Sequence, residues 1–430
     1  MPLQPDYPTQ VRGEVAQVAM WASLDQAQPV DNLEALIGSD QVNALVSRAL
    51  DGNPGLQQTF LTLQIRRQEQ LAASGALLPQ VDTGLLAARE QSQDASYGAS
   101  VSVSWEVDLW GKLSDGVDAV TKEVAAQQAL YQSARDTLAA ETIKAWLGLV
   151  AQRHAVEIET RRHSVLALNE RFILQRYRSG LGTLEDLNSA RSSAASSQAT
   201  LEAYREELAN RERSLQVLLG TLADTGVRIP ADYPDVIVPL ADLPEQTLAR
   251  RPDLKAAYLS IEAAQSRTQV AYKDLLPSIN LQMALDSGVS SLNYTLFTAP
   301  VWSLLGQLTA PLFHGGQLRA ASEIAGLETE QAYQAYRERL ITAVTEVDMA
   351  IGLERSMGRQ QTALEVALSS ARRSLTQYQR SYRAGLANIL DLLTVQQQTY
   401  DLEARLDAVI HQRLANRVDL GLALGLGAQE

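Results

Sequence analysis

The segment QRYRSGLGTLEDL at residues 175–187 returns 205 positions later as RSYRAGLANILDL at 380–392. At that offset Tyr177 meets Tyr382, Arg178 meets Arg383, Gly180 meets Gly385 and Asp186 meets Asp391. Leu219-Gly220 likewise meets Leu424-Gly425, and Gly111 meets Gly316. Upstream, LLPQVDTGLL at 77–86 resembles LLPSINLQMA at 275–284, at an offset near 198. Self-similarity at a fixed spacing is the mark of a duplicated structural unit. The chain therefore reads as two copies, 1–220 and 221–430, the second opening on a linker at 221–247.

Outward from these segments, the prolines set the helices. None of the 14 lies between Pro79 and Pro230 and none follows Pro311, so two long stretches lack the residue that most effectively breaks a helix. Leu113, Val117, Val120 and Val124 step by 4, 3 and 4, as do Leu340, Val344, Val347 and Ile351, which is the spacing of one helical face. Long helices are expected over 112–178 and 317–383, each ~100 Å in length at 1.5 Å per residue. Gly180 and Gly385 can take the left-handed conformation that closes a helix. Return helices then follow at 183–219 and 387–424, so each copy holds a long helical hairpin.

The Leu-Leu-Pro motifs end a preceding helix, and extended segments come next. They are expected at about 80–91, 98–107, 278–287 and 302–312. In the second, Ser100, Ser102 and Ser104 alternate with Val101 and Val103, the period of a strand with one polar face. Lengths of about ten residues fit tilted strands that cross a bilayer. The fold class is thus mainly α with a small β portion. Four strands are too few to close a barrel, whereas three chains supply twelve, so closure argues for a homotrimer. Judged on the helices alone, a soluble coiled-coil scaffold is the other reading, but isolated strand pairs would leave it with open edges.

Composition removes several function classes. A net charge of −13 without a basic block speaks against nucleic acid. With no cysteine there is no disulfide framework, thiolate metal site or thiol catalysis. His154, His163, His314 and His411 show no ligand spacing, so no metal and no cofactor is expected. Gly315-Gly316-Gln317 reads as a strand-to-helix break, since Gly316 is the repeat partner of Gly111. No nucleophile elbow, phosphate-binding glycine loop or zinc-protease motif occurs, which argues against an enzyme. Trp105, Trp110 and Trp302 fall at or near strand ends, where either an interfacial aromatic belt or core packing would use them.

Three further segments resemble the TolC-like outer-membrane efflux proteins over nearly the whole chain: LARRPDLKAAYLSIEAAQSRTQVAYKDLLPSINL at 248–281, SWEVDLWGKL at 104–113 and APLFHGGQLRAA at 310–321. The resemblance implies a trimer with a short barrel in the outer membrane of a Gram-negative bacterium and a long helical tunnel in the periplasm. It implies as partners a periplasmic adaptor and an inner-membrane pump, with outer-membrane lipid around the barrel. The implied function is passive export of drugs or small amphiphiles. Metal-ion export is a minor variant, disfavoured by five Met, four His and no Cys.

By the same resemblance the periplasmic entrance is gated near the second turn. Tyr382 matches the family's gate tyrosine and Asp391 its first aspartate, while Ala387 stands at the arginine position and Thr394 at the second aspartate. Three copies of Asp391 would ring the axis with carboxylates and attract cations, and Asp186 would add a neighbouring ring. Alternatively, both aspartates serve the positive end of a helix dipole. Arg178 and Arg383 either complement a helix C-terminus or tether adjacent hairpins. Gly180, Leu181, Gly385 and Leu386 sit at the tips that the family offers to the adaptor.

Overall fold

A computed structural model describes residues 6–89, 91, 96–223, 226–241, 243–289 and 300–429. The helices are α1 (Tyr7–Ala16), α2 (Asp40–Gly52), α3 (Pro54–Gly75), α4 (Lys112–Arg178), α5 (Leu184–Leu218), α6 (Pro244–Arg250), α7 (Pro252–Lys273), α8 (Gln317–Arg383) and α9 (Ile389–Ala423). The strands are β1 (Gln80–Ala88), β2 (Ser96–Val107), β3 (Ser278–Val289) and β4 (Val301–Thr309). A helix of 22 residues, two strands, a helix of 67 and a helix of 35 occur in that order twice, first from α3 to α5 and then from α7 to α9.

Two compact units divide the chain. One takes residues up to Glu14, Thr59–Tyr131 and Pro252–Leu340, and the other Val15–Gln58, Gln132–Arg251 and Ile341–Glu430. The first holds the sheet, an antiparallel meander in the order β1-β2-β3-β4. The passages from helix into strand are pinned by indoles: Trp105 Nε1 donates to the Leu77 carbonyl at 3.0 Å and Trp110 Nε1 to the Pro277 carbonyl at 2.6 Å. Each Leu-Leu-Pro motif thereby has its own tryptophan. α4 starts where Asp108 accepts the N–H groups of Leu113 and Ser114, both at 2.9 Å.

The second unit is a helical core in which Leu33, Leu36, Val42, Val46, Ile143, Leu147, Val150, Leu215 and Leu420 are fully buried. α5 and α9 both end in the left-handed glycine motif, with Thr221 N–H bonded to the Gln216 carbonyl and Leu426 N–H to that of Gly421. Gly220 there comes so close to Gly52 that a Cβ would lie 2.0 Å from the Gly52 carbonyl oxygen.

Some boundaries move. The ladder of β1 ends at the Ala88–Ser96 pair, so the first strand stops short of 91 and the second begins before 98. β4 runs to Thr309 rather than 312, because Pro311 has no N–H to give a ladder. Thr183 and Asn388 are caps and not helical residues, so the return helices begin after them. Glu90 of the expected first strand, and Asp224, Thr225 and Asp242 of the expected linker, lie outside the described residues.

Candidate functional site

The tips of the two hairpins meet in one apolar cluster. Ile173 of α4, Leu187 and Ala190 of α5, and Ile389 and Leu392 of α9 are buried in it, with Leu174, Leu375, Tyr382 and Leu393 packed around them. These residues come from all four helices, and each hairpin turns at the same kind of glycine. Gly180 has φ 72° and Gly385 φ 74°. After them, Leu181 N–H bonds the Arg176 carbonyl at 2.9 Å and Leu386 N–H the Ser381 carbonyl at 2.8 Å. Leu181 and Leu386, one step beyond, are 69% and 83% exposed. Two largely exposed apolar side chains therefore project from the tips.

The expected gate residues occupy unlike surroundings. Tyr382 is half-buried in the tip cluster, with its ring edge-on to Phe172. Asp186 closes a capping box: its N–H reaches the Thr183 hydroxyl at 3.1 Å and its carboxylate accepts the Thr183 N–H at 3.3 Å. Those bonds from Thr183, the side chain before the backbone, hold the Asp186 carboxyl below its usual range, with a smaller contribution from Arg176. At the matching turn Asn388 caps α9 by accepting from Leu390 N–H. Asp391 is exposed and accepts no such bond among the described residues. The Thr394 hydroxyl is turned back to the Leu390 carbonyl at 2.9 Å.

Arg178 and Arg383 lie in the last turns of α4 and α8, and among the described residues neither joins the hairpins. The joining pairs sit higher on the helices. Arg161 reaches Glu403 at 2.9 Å and Arg162 reaches Asp401 at 2.7 Å, both from α4 to α9, while Arg372 of α8 shares Glu403 at 3.2 Å. Arg162 also lies 5.8 Å from the centre of the Tyr400 ring, within cation–π range. Sequence periodicity gave no sign of these partners, because it marks which face of a helix is polar and not which residue of a distant helix stands opposite. Among the described residues no histidine joins a group able to hold a metal ion.

The sheet separates its residues by chemistry. Cross-strand partners share a face, and the register puts Val81, Val103, Met283 and Leu304 in one row. Adding the rows on either side gives a face of Val81, Thr83, Leu85, Val101, Val103, Trp105, Val107, Ile279, Leu281, Met283, Leu285, Trp302, Leu304 and Leu308, broken by Gly306 and Ser287. The opposite face carries Asp82, Ser100, Ser102, Ser104, Glu106, Asn280, Gln282, Asp286, Ser303 and Gln307, broken by Leu86, Val301 and Leu305. No Lys or Arg occurs in any of the four strands. The apolar face is exposed along β1 and β4, with Leu85 at 78% and Trp302 at 68%. Among the described helices none is long and apolar enough to cross a membrane.

The model of the family described as outer membrane efflux protein matches residues 45–221 and 243–426. This chain belongs to that family. Among its relatives, the pyoverdine export outer membrane protein OpmQ of Pseudomonas putida is 29% identical, over 98% of this chain and 94% of that one. Outer membrane protein OprJ of Pseudomonas aeruginosa is 27% identical, over 95% and 89%. The crystal structure of the Campylobacter jejuni CmeC outer membrane channel superposes with a TM-score of 0.87 at 19% identity, over 96% of this chain and 94% of that one, and so shares its fold. As an outer membrane efflux protein, the chain is a channel of the Gram-negative outer membrane through which an efflux system empties. The family is one of transport channels.

Proposed function

We propose that three copies of this chain close a twelve-stranded barrel in the outer membrane, continued by a helical tunnel in the periplasm. The duct conducts drugs or other small amphiphilic compounds outward. The supporting observation is the two-faced sheet in which, among the described residues, no strand pairs with the outer edges of β1 and β4. A row of free N–H and C=O groups beside an apolar face is untenable in lipid unless a neighbouring strand completes the ladder. On this reading the apolar face meets lipid and the polar face lines the pore. The pore wall then carries Asp82, Glu106 and Asp286 from each copy, with Glu106 partly offset by Lys112 at 2.8 Å.

The repeated order of elements supports residues 1–220 and 221–430 as copies of one ancestral unit, the second beginning with the linker 221–247. The exposed tips at Gly180-Leu181 and Gly385-Leu386 are the surface for a periplasmic adaptor, through which an inner-membrane pump supplies the energy. The entrance gate lies at the same tips. Asp391 supplies the charge of the constriction, Tyr382 the contact that holds it shut, and Asp186 and Thr394 complete the ring from behind. Arg178 and Arg383 tether neighbouring copies. The export named for the OpmQ relative makes pyoverdine one compound to test as cargo.

Single-channel recording in a planar bilayer tests this reading with the unmodified chain and Asp391→Asn. Small cation-selective currents that lose selectivity in the variant support a duct narrowed at Asp391. Selectivity indifferent to the change moves the constriction elsewhere. Protein that stays monodisperse without detergent and forms no channel is a soluble scaffold instead.

A further inference from the structure

The stretch 226–241, between α5 and α6, forms a strap in the second unit, and side chains take its carbonyl groups one after another. Gln41 donates to Arg228 at 2.8 Å, Arg153 donates to Ile229, and Arg417 donates to Val236. His154 of α4 faces the Ala231 carbonyl through Nε2 at 2.6 Å, and its Nδ1 faces Asp407 of α9, also at 2.6 Å. Tyr233 of the strap donates to the other oxygen of Asp407 at 3.1 Å and stands edge-on to the imidazole, with centroids 4.8 Å apart. An amide carbonyl and a carboxylate carry no hydrogen to give, so both ring nitrogens must donate. The geometry fits the imidazolium and no neutral tautomer. Of the donors on the strap carbonyls, only this ring can lose its charge near neutral pH.

We propose that His154 is a proton-dependent clasp that holds the strap and α9 together on α4, and that loss of one proton releases the strap at Ala231. The carboxylate is the stronger acceptor, so the remaining hydrogen stays on Nδ1 and the Nε2 lone pair is left facing the carbonyl lone pairs. Other groups facing the cluster are Glu157 on α4, Arg211 on α5, and His411 on α9. The Asp407 hydrogen bond raises the His154 pKa against the opposing effect of burial, with Ala231 and Glu157 assisting. His411 moves the other way, pushed down by burial and then by Arg211. A histidine raised in the folded state contributes stability that is complete below its unfolded value, about 6.5, and disappears as pH rises through the folded value. The clasp is therefore shut below the ordinary histidine range and opens as pH rises above it.

The chain has no cysteine, so Asp232→Cys places a single spin label on the strap. The trimer in detergent is followed by electron paramagnetic resonance from about pH 6 to pH 10. The expected result is an immobile label that becomes mobile in a one-proton step above the ordinary histidine range, the mobile-to-immobile ratio rising tenfold per pH unit. His154→Gln removes the step, His411→Gln leaves it in place, and Asp407→Asn moves it to lower pH. A step that survives His154→Gln or vanishes with His411→Gln overturns the clasp, as does a label indifferent to pH in the unmodified background. Should His154→Gln not fold, the Asp407→Asn midpoint decides: an unmoved step overturns the proposal.

Discussion

The ring of Phe172 in α4 meets that of Tyr382 in α8 edge-on, with centroids 6.3 Å apart and planes at 78°. This contact joins the two hairpins of a single chain at their tips, so the proposed gate tyrosine is held by its own protomer. Phe172→Ala removes the contact together with part of the apolar cluster. Because Phe172 is half-exposed, the expected cost is about 1–2 kcal/mol, below that of a core phenylalanine. The channel is expected to open more often in the variant, seen as shorter closed dwell times in bilayer recordings.

The two repeat-related aspartates should respond differently. Asp391→Asn, with no capping bond to lose, is expected to lower cation selectivity several-fold and leave thermal unfolding in place. Asp186→Asn should do the reverse, leaving selectivity nearly unchanged while amide exchange rises in the first turn of α5. A depressed carboxyl stabilises above its unfolded pKa, about 3.9, and that contribution is lost as pH falls through the folded value. The first turn of α5 should therefore loosen only in acid below about pH 4.

Glycines of similar backbone conformation should differ in their tolerance of alanine. At Gly385 a Cβ meets nothing within 4 Å, so Gly385→Ala costs only the left-handed strain, about 1–2 kcal/mol. At Gly220 the same strain is joined by a clash with the Gly52 backbone, which cannot rotate away. Gly220→Ala should lower the unfolding temperature much further, or prevent assembly, in a side-by-side melting experiment.

The ion pairs of Arg161 and Arg162 with Glu403 and Asp401 are partly exposed, and each should contribute about 0.2–1 kcal/mol. The double variant Asp401→Asn with Glu403→Gln is expected to lengthen open times at low salt. In about 1 M salt, where screening acts within ~3 Å, it should behave like the unmodified channel.

The mainly helical class with a small sheet was legible because helices and strands advertise themselves locally. Leu113, Val117, Val120 and Val124 repeat at 3.6, and the serines of β2 alternate with valines at 2. The hairpin turns were equally legible at Gly180 and Gly385, whose neighbours are close in sequence. Strand ends shifted where the deciding factor was a partner in another strand, as at Ala88, which pairs with Ser96. The capping role of Asp186 could be inferred from Thr183 three residues before it. The bare carboxylate of Asp391 followed only from seeing that Asn388 caps α9 through Leu390.

The sequence alone therefore determined what each segment is: two long hairpins, four strands, the second with one polar face, and glycines where the chain reverses. Those properties rest on interactions among residues a few positions apart, and a single chain reads them out as period and punctuation. Tertiary structure decided who meets whom. Phe172 against Tyr382, Arg162 against Asp401, and His154 between Asp407 and Ala231 depend on the register and rotation of helices more than two hundred residues or a whole loop apart. No local pattern encodes that register, because sliding two helices past one another by a turn keeps every apolar face inward while exchanging every polar partner.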